Sequence, residues 1–385
     1  QSMHGPYTET HRRNCTTDPY ARVNHLGEYY LDEDSGGGDM LRDAGSVDNP
    51  DQSAWPFPGS TFTVDPPIED QIYTTDSTIS VDTEWSQSNH DGDEGDALDI
   101  GYHHNRVDVF VDDANLLVTA QLLIKPGVVV GIRGNNKYLI ATSGGKLVSV
   151  GDPDGGGLNV FTCSTSLSMN VESPRFPAAG VNPFIYLYTD ASADSRIQFT
   201  KTTWLGWGVL INLQLTEPIR DNVFSLSYYG VGAHGGNTLF NNLGYENIYG
   251  AYVTGNSEIG NCTFDRNETG LKVSAASGET LRIRDCLLTK NNDEGILIDS
   301  CPGDIVNYYN AFWENGEPID GGELGPGSQE LDEQDSPYHS WTDGDWQLRY
   351  KLNQNSTIVN AGSRSAKYGG LSEYSTSVNA DRDVK

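Results

Sequence analysis

Asp91, Asp93, Glu94, Asp96 and Asp99 fall within nine residues and alternate with glycine and alanine. Carboxylates at that density on a flexible loop suit a hard cation, which takes several oxygen ligands at once. The spacing is not that of an EF-hand, because no Glu closes a loop of twelve. The reading is a Ca2+ site with Asp91, Asp93, Asp96 and Asp99 as ligands, set against the plainer reading of a solvated acidic loop. Five cysteines, Cys15, Cys163, Cys262, Cys286 and Cys301, include no CxxC pair, which argues against zinc. Cys262 and Cys286 occupy matching places in neighbouring repeats. Adjacent strands lie about 4.8 Å apart, inside the Cα range of a disulfide. A bridge between the two is therefore one expectation, and a stack of small buried thiols is the other. Sequons at Asn14, Asn261, Asn267 and Asn355 are acceptors only in a host that glycosylates. Trp204 and Trp207, beside glycines in an expected loop, are candidates for stacking on sugar rings.

These residues need elements to hold them, and the stretch from Asn237 to Gly316 supplies the pattern. Asn261–Asn267, Asp285–Asn291 and Asn310–Gly316 read alike, with a weaker copy at Asn237–Asn242. Small-x-large pairs fall at Thr238/Phe240, Cys262/Phe264, Cys286/Leu288 and Ala311/Trp313, in steps of 24, 24 and 25 residues. Each repeat also carries a Gly-led strand and a third short strand before the pair. A repeat too short to bury its own core stacks into a solenoid. Three short strands per turn predict an all-β, three-faced, right-handed parallel β-helix with β-rich acidic tails. Phe264/Leu288/Trp313 and Ile259/Ile283/Tyr308 are the expected inward stacks. Asn267 and Asn291 are the expected rungs of an asparagine ladder, in which the side-chain amide satisfies turn backbone groups.

The chain divides into an acidic N-terminal segment (1–105), a β-helix body (106–316) and a C-terminal tail (317–385). The tail repeats part of the N-terminal segment. Gly344-Asp345-Trp346-Gln347-Leu348 matches Gly27-Glu28-Tyr29-Tyr30-Leu31, and Val359-Asn360-Ala361-Gly362-Ser363 matches Arg42-Asp43-Ala44-Gly45-Ser46, both at an offset of 317. Such an echo fits one period of a tandem array, or subunits that join head to tail. A contact of that kind that does not close gives a filament. The net charge of −30 argues against nucleic acid and against an anionic membrane surface. No apolar run reaches the length of a membrane span. With no signal peptide in view, Gln1 reads as a mature N-terminus or an internal cut.

The Leu-x-Ile-x-Pro-Gly-Val entry at 122–128, the strands from Lys146 to Thr162, the Asn-rich turns of 237–316 and the Asp-Ala-Gly-Ser tail together resemble secreted bacterial right-handed parallel β-helix repeat proteins of the pectate-lyase-like superfold. The resemblance implies a fold and a secreted or cell-surface location. It does not choose among lyases, hydrolases, adhesins and structural repeats. Outward residues of the clear turns, including Asp265, Arg266, Lys290 and Glu314, interleave in sign as a solvated face does. The reading that follows is a non-catalytic structural subunit of an extracellular filament or cell-surface protein. It would pair with copies of itself and be stabilised by calcium. A calcium-dependent polysaccharide lyase or glycoside hydrolase is one alternative, and a glycan-binding adhesin is another.

Overall fold

A computed structural model describes residues 72–87, 107–134, 136–152, 157–163, 184–299, 301–332 and residue 337, together with the backbone of two short paired strands at 20–21 and 30–31. Asp91, Asp93, Asp96 and Asp99, and the sequons at Asn14 and Asn355, lie outside the described residues.

The strands from Ile72 to Leu331 form three parallel sheets of eleven, ten and nine strands. The chain visits them in strict rotation. One turn runs through Val223–Ser225 on the first sheet, Tyr229–Ala233 on the second and Thr238–Phe240 on the third, before Leu243–Tyr245 returns to the first. The result is a three-faced parallel β-helix, and parallel crossovers take the right-handed sense. Strands at 72–85 and 317–331 belong to the same sheets, so the solenoid extends beyond 106–316 at both ends.

Alternate side chains of each strand point into a continuous core. The register there departs from the sequence reading. Phe264, Leu288 and Phe312 are partners on adjacent strands. Trp313 instead follows Asp265 and Thr289, so the inward stack ends in Phe312 and Trp313 lies one place on. Trp313 is buried with Leu287, Ala311 and Leu331 in a separate small cluster. On the third sheet Ile259 and Ile283 pair as expected, but the next rung is Asn307 rather than Tyr308. The weak copy at Thr238–Phe240 is a third-sheet strand; the counterpart of Thr263–Asp265 is Leu243–Tyr245, twenty residues earlier.

The corners explain why short polar turns hold this register. The corner before each first-sheet strand and the corner after it both carry a left-handed residue. Asp221, Asn241, Asn261, Asp285 and Tyr309 mark one corner; Leu226, Glu246, Arg266, Lys290 and Glu314 mark the other. The left-handed conformation costs a residue with a Cβ roughly 1–2 kcal/mol, and the next residue in each corner offsets it. Asn247, Asn267, Asn291 and Asn315 form a ladder in which each side-chain oxygen accepts the backbone N–H of the rung before. Each amide donates back to a carbonyl: Asn247 to Phe224, Asn267 to Gly244, Asn291 to Phe264 and Asn315 to Leu288. The expected Asn267–Asn291 ladder is present and extends one rung further in each direction. Asn222, Asn242, Cys262, Cys286 and Asn310 build the other corner. Glycines line up beside them for a steric reason. A Cβ on Gly250 would meet the Gly270 carbonyl and the Phe264 ring, and one on Gly270 would meet the Gly295 carbonyl and the Asn291 amide.

Candidate functional site

Most charged groups on the outer faces are committed to neighbouring turns or to the adjacent residue. Arg133 pairs with Asp112, Lys290 with Glu314 at 3.2 Å, and Arg284 with both Glu258 at 2.7 Å and Asp285 at 2.8 Å. Arg266 bridges Glu246 and the buried Asp265, whose carboxylate also accepts from Thr289 at 2.6 Å. Among the described residues two carboxylates are clearly shifted, Asp76 and Asp190. Both are lowered, chiefly by backbone N–H donors at Asn115 and Ser143 respectively.

The second sheet carries the most distinctive outer surface. Tyr138, Phe184, Trp207, Tyr229 and Tyr249 occupy successive places in one outward column. Trp207 stacks on Tyr229 with centroids 3.8 Å apart, and Tyr229 stacks on Tyr249 at 4.9 Å. Gly232 makes room for this: a Cβ there would meet the six-membered ring of Trp207. His234 and Tyr252 flank the column and meet each other edge to face, with ring centroids 5.2 Å apart. Burial holds the His234 imidazole below its ordinary pKa, and its Nδ1 contacts the Thr254 hydroxyl at 2.7 Å. Burial, followed by the neighbouring Tyr228, Tyr249 and Tyr252, pushes the Tyr229 hydroxyl up to about 12.

Beyond Tyr249 the column turns acidic, with Glu294 and Glu317 following Thr269. Lys272 closes the boundary. Its ammonium lies 5.5 Å from the Tyr249 ring centre and 5.3 Å from that of Tyr252, and 3.0 Å from the Asp299 carboxylate. Burial disfavours that charge, but the hydrogen bond and charge of Asp299 outweigh it, and the Lys272 pKa is raised.

This geometry bears directly on the sequence candidates. One face of the Trp207 ring is covered by Tyr229. Trp204 is not its partner: it sits at a corner with φ of 60° while Trp207 is in the strand Trp207–Ile211. Rings stacked along the solenoid present edges and hydroxyls outward, not the flat faces on which sugars stack. Cys262 and Cys286 are both buried and free, and serve as corner rungs: Cys262 accepts from the Asn242 N–H and donates to Gly260, and Cys286 donates to Arg284. Asn267 is fully buried with its amide engaged, so a glycan there would dismantle the ladder, whereas Asn261 is exposed. The tyrosine column was not recognised from sequence. Its signal was there in the aromatic-Gly pairs Trp207-Gly208, Tyr229-Gly230 and Tyr249-Gly250, spaced 22 and 20 residues apart.

A protein-family profile described as "Periplasmic copper-binding protein (NosD)" matches residues 172–323, less than half of the chain. No curated protein and no solved structure gives a significant match. Among the described residues no group of three or more His, Cys, Asp and Glu is arranged to hold a metal ion. His234 is the one histidine among them, with one ring nitrogen on Thr254 and the ring wedged between Trp207 and Tyr252. The described residues therefore do not fit copper. No described helix is long and apolar enough to cross a membrane.

Proposed function

We propose that this chain is a non-catalytic β-helix module of an extracellular or periplasmic structural protein, joined end to end with further copies. The observation that carries this reading is the commitment of polar groups to the scaffold: the corner asparagines, the cysteines and the ion pairs of Arg266 and Arg284 all link one turn to another. The 317-residue echo between the two flanks supports a repeating arrangement. The periplasmic description of the matching family supports a location outside the cytoplasm. Calcium belongs to the same proposal, as a tether for the loop of Asp91, Asp93, Asp96 and Asp99 at a junction between modules.

The test is a paired assay. Purified chain is incubated with neutral and acidic polysaccharides with and without Ca2+, and new reducing ends and unsaturated products are measured. The same samples are followed by sedimentation. The proposal expects no turnover and concentration-dependent association; calcium-dependent cleavage with a monomeric chain would replace it with the lyase reading. A second reading, binding of a polysaccharide without cleavage, is favoured by one observation, the row of tyrosine edges and hydroxyls on the second sheet. Affinity electrophoresis through the same polymers, with Tyr229→Ala as the comparison, separates it from the first.

A further inference from the structure

Among the described residues the three sheets do not end level. The last turn has a first-sheet strand at Ala311–Trp313 and a second-sheet strand at Glu317–Asp320, and the first sheet gains one more at Gln329–Leu331. The third sheet stops earlier, at Asp304–Tyr308. Where its next strand would run, a glycine-rich loop, Gly321–Ser328, crosses instead. The loop is tied down by Asn307, which accepts from the Gly325 N–H at 2.7 Å and donates to the Glu323 carbonyl at 3.0 Å. Asn307 takes the place in the column that Ile259 and Ile283 occupy in earlier turns, so a polar residue finishes an apolar stack.

The result is a notch of about 540 Å³ at the corner between the second and third sheets, lined in part by Ile298, Cys301, Ile305, Val306 and Leu324. Val306 and Leu324 are 41% and 44% exposed, and nearby Tyr309 is 42% exposed. These are three of the six large hydrophobic residues exposed among the described ones. Another is Val81, the most exposed of all at 70%. Val81 lies in the first turn, between Ser77–Ile79 on the second sheet and Thr83–Trp85 on the third. It therefore projects at the same corner of the triangular cross-section as the notch, at the opposite end of the solenoid.

We infer that the notch at Ile298–Leu324 receives the Val81 corner of a second copy of this chain, stacked along the solenoid axis. Shared corner position is what makes a second copy the fitting partner. Translation along the axis brings Val81 over the notch while keeping every strand in the same direction, and it leaves a notch at one end and a Val81 at the other. The contact is heterologous and does not close, so it propagates. Both surfaces carry carboxylates, Asp82 beside Val81 and Asp304 and Glu323 beside the notch, while Glu84 is paired with Lys125. Like charges at the joint make association stronger as salt screens them.

This inference rests on the end-to-end reading above and specifies its surface. The experiment is sedimentation velocity on the wild type, on Val81→Asp, on Leu324→Asp and on an equimolar mixture of the two variants, with thermal unfolding to verify that both exposed substitutions leave the fold intact. The wild type is expected to form a concentration-dependent series. Each variant alone should be monomeric, and the mixture should form a dimer and stop there, because one intact notch meets one intact Val81. If the wild type associates and both variants do so equally well, the surface is wrong and the end-to-end reading stands. If the wild type is monomeric at every concentration and salt level, both fall.

Discussion

Asn267→Ala tests the physical account of the scaffold at its centre. The Asn267 oxygen accepts from the backbone N–H and the side-chain amide of Asn247, each at 3.0 Å, and its amide donates to the Gly244 carbonyl at 3.1 Å and to the Asn291 oxygen at 3.0 Å. Alanine removes all four contacts in a site with no exposure to water. The most serious consequence is a buried Asn247 N–H with no acceptor. A buried polar group left without a partner costs about 1–3 kcal/mol, and the Gly244 carbonyl and the Asn247 amide each lose a contact as well. The expected loss is about 3–5 kcal/mol. Asn292→Ala is the control, since its side chain is exposed at the same corner of the next turn, and a surface change of that kind falls within about 0.5 kcal/mol. Guanidinium denaturation followed by circular dichroism gives the global difference, and amide hydrogen exchange shows whether the loosening centres on residues 244–291. A loss under about 1 kcal/mol, or one no greater than that of Asn292→Ala, would refute the claim that the ladder holds the turns in register.

Three further outcomes follow from the same structure. Gly250→Ala places a Cβ against the Gly270 carbonyl and the Phe264 ring and should destabilise by about 1–3 kcal/mol through overpacking. Gly278→Ala meets nothing within 4 Å and bears only the cost of its φ of 83°, so thermal unfolding should rank the two in that order. Cys262 and Cys286 should resist a thiol reagent in the native protein and both react in denaturant, with no change in midpoint on adding reductant; a native mass two protons light would contradict this. Tyr229 titrates near 12 when folded, above its unfolded value of about 10. A raised pKa means that the folded chain holds its proton longer, so the stabilisation is present below pH 10 and is lost as pH rises through 10 to 12. Ultraviolet titration of tyrosinate alongside unfolding midpoints checks both parts.

The fold was legible where one residue type had to recur for a single physical reason. A side-chain amide can both accept and donate at a buried corner, so Asn267 and Asn291 marked their rungs. Register was harder where neighbours were alike. Phe312 and Trp313 are both large, and alternation alone does not say which points inward; the paired strands put Phe312 behind Leu288. The weak copy at Thr238–Phe240 misled because the turn from Leu243 to Thr263 takes 20 residues and the next, from Thr263 to Leu287, takes 24, so a fixed step lands on the wrong sheet. Trp207 looked like a free ring because its cover, Tyr229, is distant by one whole turn. The acidic loop from Asp91 to Asp99 lies outside the described residues, and its role as a calcium site is still a proposal.

The central claim is that this β-helix is a building unit whose ends meet. Electron microscopy of the purified chain, at rising concentration and with and without Ca2+, addresses it most directly. Eleven strands at about 4.8 Å give a solenoid of about 50 Å. The account predicts straight rods whose lengths grow in steps of at least that size, longest at high concentration; single particles of one module's length under every condition would contradict it.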